Sequence, residues 1–526
     1  MSDRLVSALG FMMTCIPMMS YAANGDWMDN TGSDRRIIVA DKGADLPLSR
    51  DSLFDSAPEP TDESKQVSTP ATKDELFALE PAADKPQQEQ PDAGLPATRD
   101  TLFSDEIPVK EAGNGGGDSQ AAYPIYGFFQ TEIAGTYADP EHWSKVLGRL
   151  ELGTEGRFGQ GVKWKLSGRI DYNAVYDLTD HYQPQVRDDQ RLEVQLRETY
   201  LDFSTGDWDW RLGRQHIVWG EMVGLFFADV VSAKDSREFI LPDFQVLRIP
   251  QWAARTEYFN NDFHAELVWI PFPSYDEIGK PFEIGRSGAG SDFFPYPLSP
   301  AGIPIVRHEE KPGNGFDHTN FGVRLSQITQ GWDLSGFYYS SMDSAPTFLR
   351  DPVVQNVFTP VHKRIWQAGG TLAKDLGSFV LKAETVYTSG RHYNVMNLTD
   401  SDGVVEQNTL DWAVGLDFNP TTDTRLNTQF FQRVFFDHEP DINLDKFENG
   451  FSLLVHHEFP HKWAAEALLI SSFNRSDWLL RPKMVRKLER DWRLTFGLDI
   501  FEGPPTGIFG QYDGNDRVYT EVRYDF

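Results

Sequence analysis

Cysteine, basic residues and long apolar runs are all scarce in this chain of 526 residues. Its single cysteine, Cys15, excludes a disulfide framework and any metal site built from several thiolates. The 49 lysines and arginines face 79 acids, and the resulting net charge of −30 argues against binding to nucleic acid or to an anionic membrane leaflet. No run of about 18 apolar residues is present, which excludes a helical membrane protein.

Aromatic residues are abundant by contrast. They make up 13% of the chain, although the mean hydropathy is only −0.45. So many rings usually accompany a hydrophobic average. The combination indicates that apolar and charged side chains are separated on two faces of the same elements.

The first 22 residues have the pattern of a secretory signal peptide. Arg4 precedes an uncharged run over 5–19, and Ser20, Tyr21 and Ala22 form a small-x-small cleavage motif. We therefore expect Sec-dependent export with cleavage after Ala22, which also removes the only cysteine.

Residues 23–122 are predicted to be a disordered, acidic periplasmic arm. This stretch contains nine prolines and 21 acids against nine bases, too little apolar surface to offset the entropy of ordering. A motif of hydroxyl, base, Asp, any residue, Leu and Phe occurs three times. Three weak motifs on one tether gain avidity, so we interpret them as docking sites for a partner, with duplicated linker as the alternative. The docking residues are Leu53, Phe54, Leu76, Phe77, Leu102 and Phe103.

From Tyr123 to Phe526 the hydrophobic pattern has a period of two, which predicts β-strands. In the stretch 162–177 an apolar and aromatic row alternates with a charged one. Strands of ten or more residues are long enough to cross a bilayer when tilted. We predict a transmembrane antiparallel β-barrel of about 18 strands, or 16 if two weak segments fail, whose rings face lipid. The chain ends on an alternating strand with Tyr524 and Phe526, the signal that outer-membrane barrels offer to the assembly machinery.

Short turns and long connections alternate along this region, as in barrels with short periplasmic turns and longer extracellular loops. The predicted turns lie at 158–161, 204–207, 260–262, 329–331, 374–377, 419–423, 460–462 and 488–490. The longest connections lie at 220–249, 272–318 and 341–361.

Several motifs here resemble a proteobacterial outer-membrane barrel family of unassigned function. They are the stretches 211–221, 226–231, 235–237, 480–482, 510–512 and 515–518, together with Gly497. The resemblance covers about three quarters of the chain, from 123 to 526. It implies a transport barrel, because members of this family are distantly related to alginate-export porins. Some members of the same family work beside RND-type (MMPL-like) exporters. The repeat-bearing arm is outside the family pattern.

The predicted inner face carries charges of both signs, as at Lys163, Lys165 and Arg169. Rings of one sign would indicate a path for a polyion, whereas alternating signs favour salt bridges that stabilise the wall.

The sharper candidate site lies where a strand enters the apolar connection 220–250. We expect this connection to fold inward as a plug or constriction, because so apolar a loop is poorly placed in water. A loop packed for stability alone is the alternative. The candidate residues are Arg211, Arg214, Trp219 and Glu221, with Asp235 and Arg237 pairing to the wall.

No motif supports catalysis, a cofactor or a metal. No serine motif accompanies His216, His456 or His457, and the acidic tips 400–403 and 437–441 are interpreted as solvated loops. We therefore predict no enzymatic activity, no cofactor and no metal site.

Three functions remain open. The first is export of a hydrophobic or polymeric cargo, with the arm docked to a periplasmic or RND-type transporter. The second is an uptake porin, and the third is a closed structural or adhesive barrel. Conductance separates the third from the others, and deletion of the arm separates the first two.

Overall fold

The computed structural model describes residues 123–159, 161–220, 222, 227–313, 315–489 and 491–526. The predicted signal peptide, the arm with its six docking residues, and Glu221 lie outside the described residues.

Eighteen antiparallel strands form one closed sheet, so the predicted barrel and its strand number are confirmed. Each strand pairs with the next along the chain, and the last pairs with the first, with Tyr524 opposite Phe129 and Arg517 opposite Thr136. In chain order, strands β1 to β18 span Ile125–Thr136, His142–Phe158, Val162–Asn173, Leu192–Thr205, Trp208–Gln215, Gln251–Asn260, Phe263–Phe272, Asn320–Thr329, Trp332–Met342, Arg364–Asp375, Val380–Asn394, Val404–Thr421, Thr424–Phe435, Phe447–Phe459, Trp463–Ser472, Trp478–Lys487, Trp492–Glu502 and Arg517–Asp525.

The alternation of the sequence separates a lipid face from a lumenal face. On β3, Leu166, Ile170 and Tyr172 are about half exposed on the outside, whereas Ser167 and Arg169 are buried on the inside. This is the arrangement of a membrane barrel, in which neighbouring residues of a strand point to opposite sides of the wall.

The two rims of the barrel differ in the length of their connections. All eight predicted turns lie at one rim, where the chain also enters β1 and leaves β18. Because outer-membrane barrels turn tightly on the periplasmic side, this is the periplasmic rim and the other is extracellular.

Other elements are short. Helices α1, α2 and α3 span Val175–Leu178, Pro184–Gln190 and Phe244–Leu247. Five short strands lie at Ala233–Lys234, Arg248–Ile249, Ile305–Val306, Thr347–Arg350 and Val357–Val361, and 3₁₀ turns at Ser236–Glu238, Phe316–His318, Pro460–Lys462 and Gly510–Asn515. None of the helices in the described ranges is both long and apolar enough to span a membrane.

The C-terminal aromatics lie at the seam where the barrel closes. Phe526 exchanges two backbone hydrogen bonds of 2.9 Å with Gly127. The ring of Tyr524 lies between those of Trp492, at 4.8 Å, and Phe526, at 5.8 Å. The terminal strand is therefore fully paired up to its last residue.

Candidate functional site

The described residues of the connection between β5 and β6, 216–220, 222 and 227–250, lie inside the barrel and are called the interior segment. Its ends are neighbours, because Gln215 and Gln251 pair directly in the sheet. The connection therefore leaves the wall and returns to the same place.

The first part of the interior segment packs on an apolar patch of the inner wall. Trp219 is fully buried, and its ring lies 5.4 Å from that of Phe337 and 5.8 Å from that of Tyr339. Ala228 and Val231 belong to the same buried cluster. The described apolar residues of this connection therefore contact side chains on the inner face of the wall.

Glu384 on β11 binds two backbone N–H groups of this apolar part. One carboxylate oxygen accepts a hydrogen bond from the backbone N–H of Met222 at 2.7 Å, and the other accepts one from Ala228 at 3.1 Å. Glu384 is only 2% exposed. A buried carboxylate on the wall thus satisfies two backbone donors of the interior segment.

The second part of the interior segment reaches the opposite wall. Arg481 on β16 donates to the carbonyl of Leu241 at 2.7 Å. Arg169 on β3 donates to the carbonyl of Val246 at 3.3 Å, and Arg197 on β4 donates to that of Gln245. Because β11, β16, β3 and β4 lie around the barrel, the interior segment is anchored on several sides of the lumen.

Glu238 forms an ionic junction between the interior segment and the seam of the barrel. Its carboxylate lies 2.8 Å from Lys145 on β2 and 3.1 Å from Arg517 on β18. Lys145 also pairs with Glu132 at 2.9 Å, and Arg517 pairs with Asp499 at 2.8 Å. Each charge in this network has an opposite partner, which satisfies its buried groups.

Most wall charges pair with a neighbouring strand, as the salt-bridge interpretation predicts. The pairs with their N···O distances include Arg149–Asp171 at 2.9 Å, Lys165–Glu198 at 2.6 Å, Arg211–Asp202 at 2.5 Å, Arg255–Glu266 at 2.7 Å and Arg433–Asp411 at 2.6 Å. Such pairs neutralise the inner face locally and leave no ladder of one sign among them.

The structure places the predicted site residues at four locations. Trp219 lies in the apolar cluster, while Asp235 and Arg237 pair with each other and Arg237 also reaches Glu193 on β4. Arg211 is paired on the inner wall. Arg214 is instead in register with the exposed Trp252, so the two arginines stand on opposite faces.

The three basic residues predicted on β3 share the inner face but have different neighbours. Lys165 pairs with Glu198, and Arg169 contacts Asp171 at 3.2 Å as well as the interior segment. Lys163 stands opposite Asp202 in the pairing of β3 and β4. Only Arg169 of the three therefore touches the interior segment in the contacts described.

A cavity of about 300 Å³, which the sequence did not predict, lies between the interior segment and the wall. Its lining combines apolar side chains, such as Phe227 and Tyr339, with the charge pairs Arg391–Asp343 and Arg433–Asp411. No sequence motif marked it, because its lining comes from several distant strands and from the interior segment.

Among the titratable groups of the interior segment, Asp235, Glu238 and His216 have shifted pKa values that decide their charge. Burial raises the pKa of Asp235 and that of Glu238, but their cationic partners outweigh burial and hold both below the usual range. Burial, together with the neighbouring Arg197, lowers the pKa of His216 to about 3. The two carboxylates are therefore charged and His216 is neutral at pH 7.

Acidification from pH 7 to pH 5 is expected to favour release of the interior segment through His216. An exposed histidine binds a proton below about pH 6.5, whereas buried His216 resists protonation down to about pH 3. At pH 5, the free energy of exposing His216 therefore becomes more favourable by up to about 2 kcal/mol. Asp235 and Glu238 keep their charge in this window. Single-channel recordings should show more openings at pH 5, and His216→Gln should abolish this response. A response that survives in His216→Gln but disappears in His264→Gln would contradict the assignment.

Glu384→Gln is expected to loosen the apolar part of the interior segment. The amide keeps one acceptor but turns an NH₂ group toward the other backbone N–H, at a cost of about 1–3 kcal/mol. The equilibrium constant for release should rise about tenfold or more, which open probability in planar bilayers measures. Asp417→Asn is the matched control, since Asp417 pairs with Arg425 on the wall. Equal open probabilities in the two variants would show that Glu384 does not hold the segment.

Three solved structures are similar to this chain at low sequence identity. OccAB1 of Acinetobacter baumannii matches with a TM-score of 0.47 and 9% identity, covering 77% of this chain and 96% of that chain. OccK8 (OprE) of Pseudomonas aeruginosa matches with 0.46 and 10%, covering 77% and 98%. The outer membrane channel DcaP of A. baumannii matches with 0.38 and 10%, covering 78% and 99%.

A search of curated proteins gives no match to this sequence. One family profile, however, matches residues 138–478, which is more than half of the chain and most of the barrel. The chain therefore belongs to the family described as "Protein of unknown function (DUF1302)".

Proposed function

We propose that this protein is a gated outer-membrane conduit whose gate is the interior segment. The observation that carries the proposal is that the interior segment contacts several sides of the lumen through hydrogen bonds, ion pairs and apolar packing. Every one of those described contacts is non-covalent and reversible. Conductance tests this directly: the native channel should switch between a closed level and an open one, and a barrel that never passes current would refute the proposal.

The finer proposal is export of a hydrophobic or polymeric cargo with a periplasmic or inner-membrane partner, such as an RND-type transporter. The chain enters β1 at the periplasmic rim, which is the side on which such a partner is located. Its three Leu-Phe motifs give weak contacts that add up on one tether. The apolar patch formed by Ile270, Phe337 and Val386 would line the path once Trp219 is displaced.

Partner capture by the full-length protein in its native envelope tests the export proposal. The native chain should co-purify a transporter subunit or periplasmic carrier after cross-linking. Serine at Leu53, Phe54, Leu76, Phe77, Leu102 and Phe103 should abolish the capture without changing the amount of assembled barrel. Equal capture by both chains would remove the arm from the mechanism.

The first residues and the terminal strand carry the signals that we expect to direct the protein to the outer membrane. We propose that the signal peptide directs Sec export and that the barrel-assembly machinery binds the terminal strand with Tyr524 and Phe526. The full pairing of that strand with β1 supports the second step.

Uptake of a small solute is the second candidate, and the cavity of about 300 Å³ favours it. The cavity holds side chains of both charges next to apolar ones, which suits a small zwitterion with an apolar part. Deletion of residues 23–120 separates the two candidates. Swelling of liposomes in amino-acid solutions should survive the deletion if the protein is an uptake channel, whereas export should be lost if it is an exporter.

A further inference from the structure

Away from the interior segment, three segments of the extracellular rim bring two histidines and an aspartate together. His142 begins β2, His181 lies in the connection 174–191, and Asp292 lies in the connection 273–319. Their possible ligand atoms all lie within 4.8 Å of one another. We call these three residues the rim triad, and we propose that it binds a divalent transition metal of the zinc class.

The hydrogen bond of His142 leaves its other nitrogen available as a ligand. Nδ1 lies 2.7 Å from the carbonyl oxygen of Pro140, which can only accept, so Nδ1 carries the proton. In a neutral ring, Nε2 then has a free lone pair. Nε2 is buried without a hydrogen-bond partner among the described residues, and the side chain is only 7% exposed. A histidine that ligates a metal through one ring nitrogen usually donates its other ring N–H to such an acceptor.

Asp292 is oriented toward the same point. Tyr182 donates its hydroxyl to Oδ2 at 2.9 Å, which leaves Oδ1 facing Nε2 of His142 at 3.4 Å. The backbone carbonyl of Asp292 also accepts a hydrogen bond from Asn515 in the last extracellular connection. The carboxylate is thus fixed by its neighbours, with one oxygen left for a ligand.

The spacing of these atoms suits a tetrahedral ion. Two ligands at the usual zinc distances lie about 3.4 Å apart, which is the separation of His142 Nε2 and Asp292 Oδ1. The ring of His181 stacks on that of His142 with 3.9 Å between centroids. A rotation of the His181 side chain therefore completes three protein ligands, and water takes the fourth position. Imidazole nitrogens with one carboxylate are ligands that zinc binds well.

The competing interpretation is a simple ion pair between a protonated His142 and Asp292. That arrangement leaves His181 without a role and stacks it against a cationic ring. A metal ion would bind all three side chains and would link the start of β2 to two connections of the extracellular rim. The two interpretations predict opposite results in a metal titration.

Calorimetric titration of the full-length, tag-free protein in detergent with ZnCl₂ tests the proposal. After removal of metal with EDTA, one zinc per chain should bind. His142→Ala, His181→Ala and Asp292→Asn should each abolish this binding, and Tyr182→Phe should weaken it by about tenfold. His318→Ala is the matched control and should bind zinc like the native chain, because His318 lies in the same connection 273–319 but contacts Asp317 and the carbonyl of Gly313.

Cobalt provides a readout that needs no variant. Co²⁺ added to the native chain should give the visible absorption of a four-coordinate site with nitrogen and oxygen ligands, and Zn²⁺ should displace it. No such spectrum, or zinc binding that is equal in the native chain and in Asp292→Asn, would overturn the proposal in favour of the ion pair.

Discussion

Replacement of the interior segment by a two-residue turn is expected to raise single-channel conductance several-fold. Described residues of the segment form hydrogen bonds with β3, β4, β11 and β16 across the lumen, and its ends are already adjacent, since Gln215 pairs with Gln251. An Asn-Gly turn can therefore join β5 to β6 without changing the register of the wall. Conductance in planar bilayers measures the result.

The matched control is the replacement of another connection at the same rim by the same two-residue turn. Asn394 and Val404 also pair directly, so Asn-Gly can replace residues 395–403 while the interior segment stays in place. That variant should conduct like the native channel. If both replacements leave conductance unchanged in folded barrels, the interior segment is not the constriction.

Arg517→Met is expected to destabilise the barrel by about 3 kcal/mol. Arg517 is 4% exposed and pairs with Asp499 and Glu238, so its removal leaves buried carboxylates with fewer cations. Breaking a buried ion pair costs about 3–5 kcal/mol. Asp499 keeps Arg481 and Glu238 keeps Lys145, which places the expected cost at the lower end. Denaturant unfolding in detergent micelles measures it.

Arg286→Met is the control for this substitution. Arg286 pairs with Glu283 on an exposed connection, and its side chain is 55% exposed. Exposed pairs contribute at most about 1 kcal/mol. Equal losses of stability in the two variants would mean that the junction at Glu238 adds nothing beyond an ordinary surface pair.

The wall of the barrel was predictable because it depends on local rules. Period-two alternation fixed the strands and their two faces, and turn-forming residues marked all eight periplasmic turns. Even the pair Arg211–Asp202 follows from the hairpin, because a two-residue turn at 206–207 places these residues opposite each other. The same rule separates Arg211 from Arg214, since residues three apart on a strand point to opposite faces.

The contents of the lumen were predictable only in outline. The apolar character of 220–250 indicated an inward fold, but not the partners. Glu238, Lys145 and Arg517 come from distant parts of the sequence, and only closure of the barrel brings them together. The same holds for His142, His181 and Asp292, which come from the start of β2 and from two separate connections.

The position of Glu238 couples the ease of channel opening to the stability of barrel closure, which a channel would otherwise adjust independently. The same carboxylate holds the interior segment and bridges β2 and β18, on either side of the seam where β1 meets β18. A substitution there that eases gating also weakens the closure of the barrel. Variation that tunes the ease of opening is therefore expected to accumulate at the other anchors, such as Glu384, and to spare Glu238.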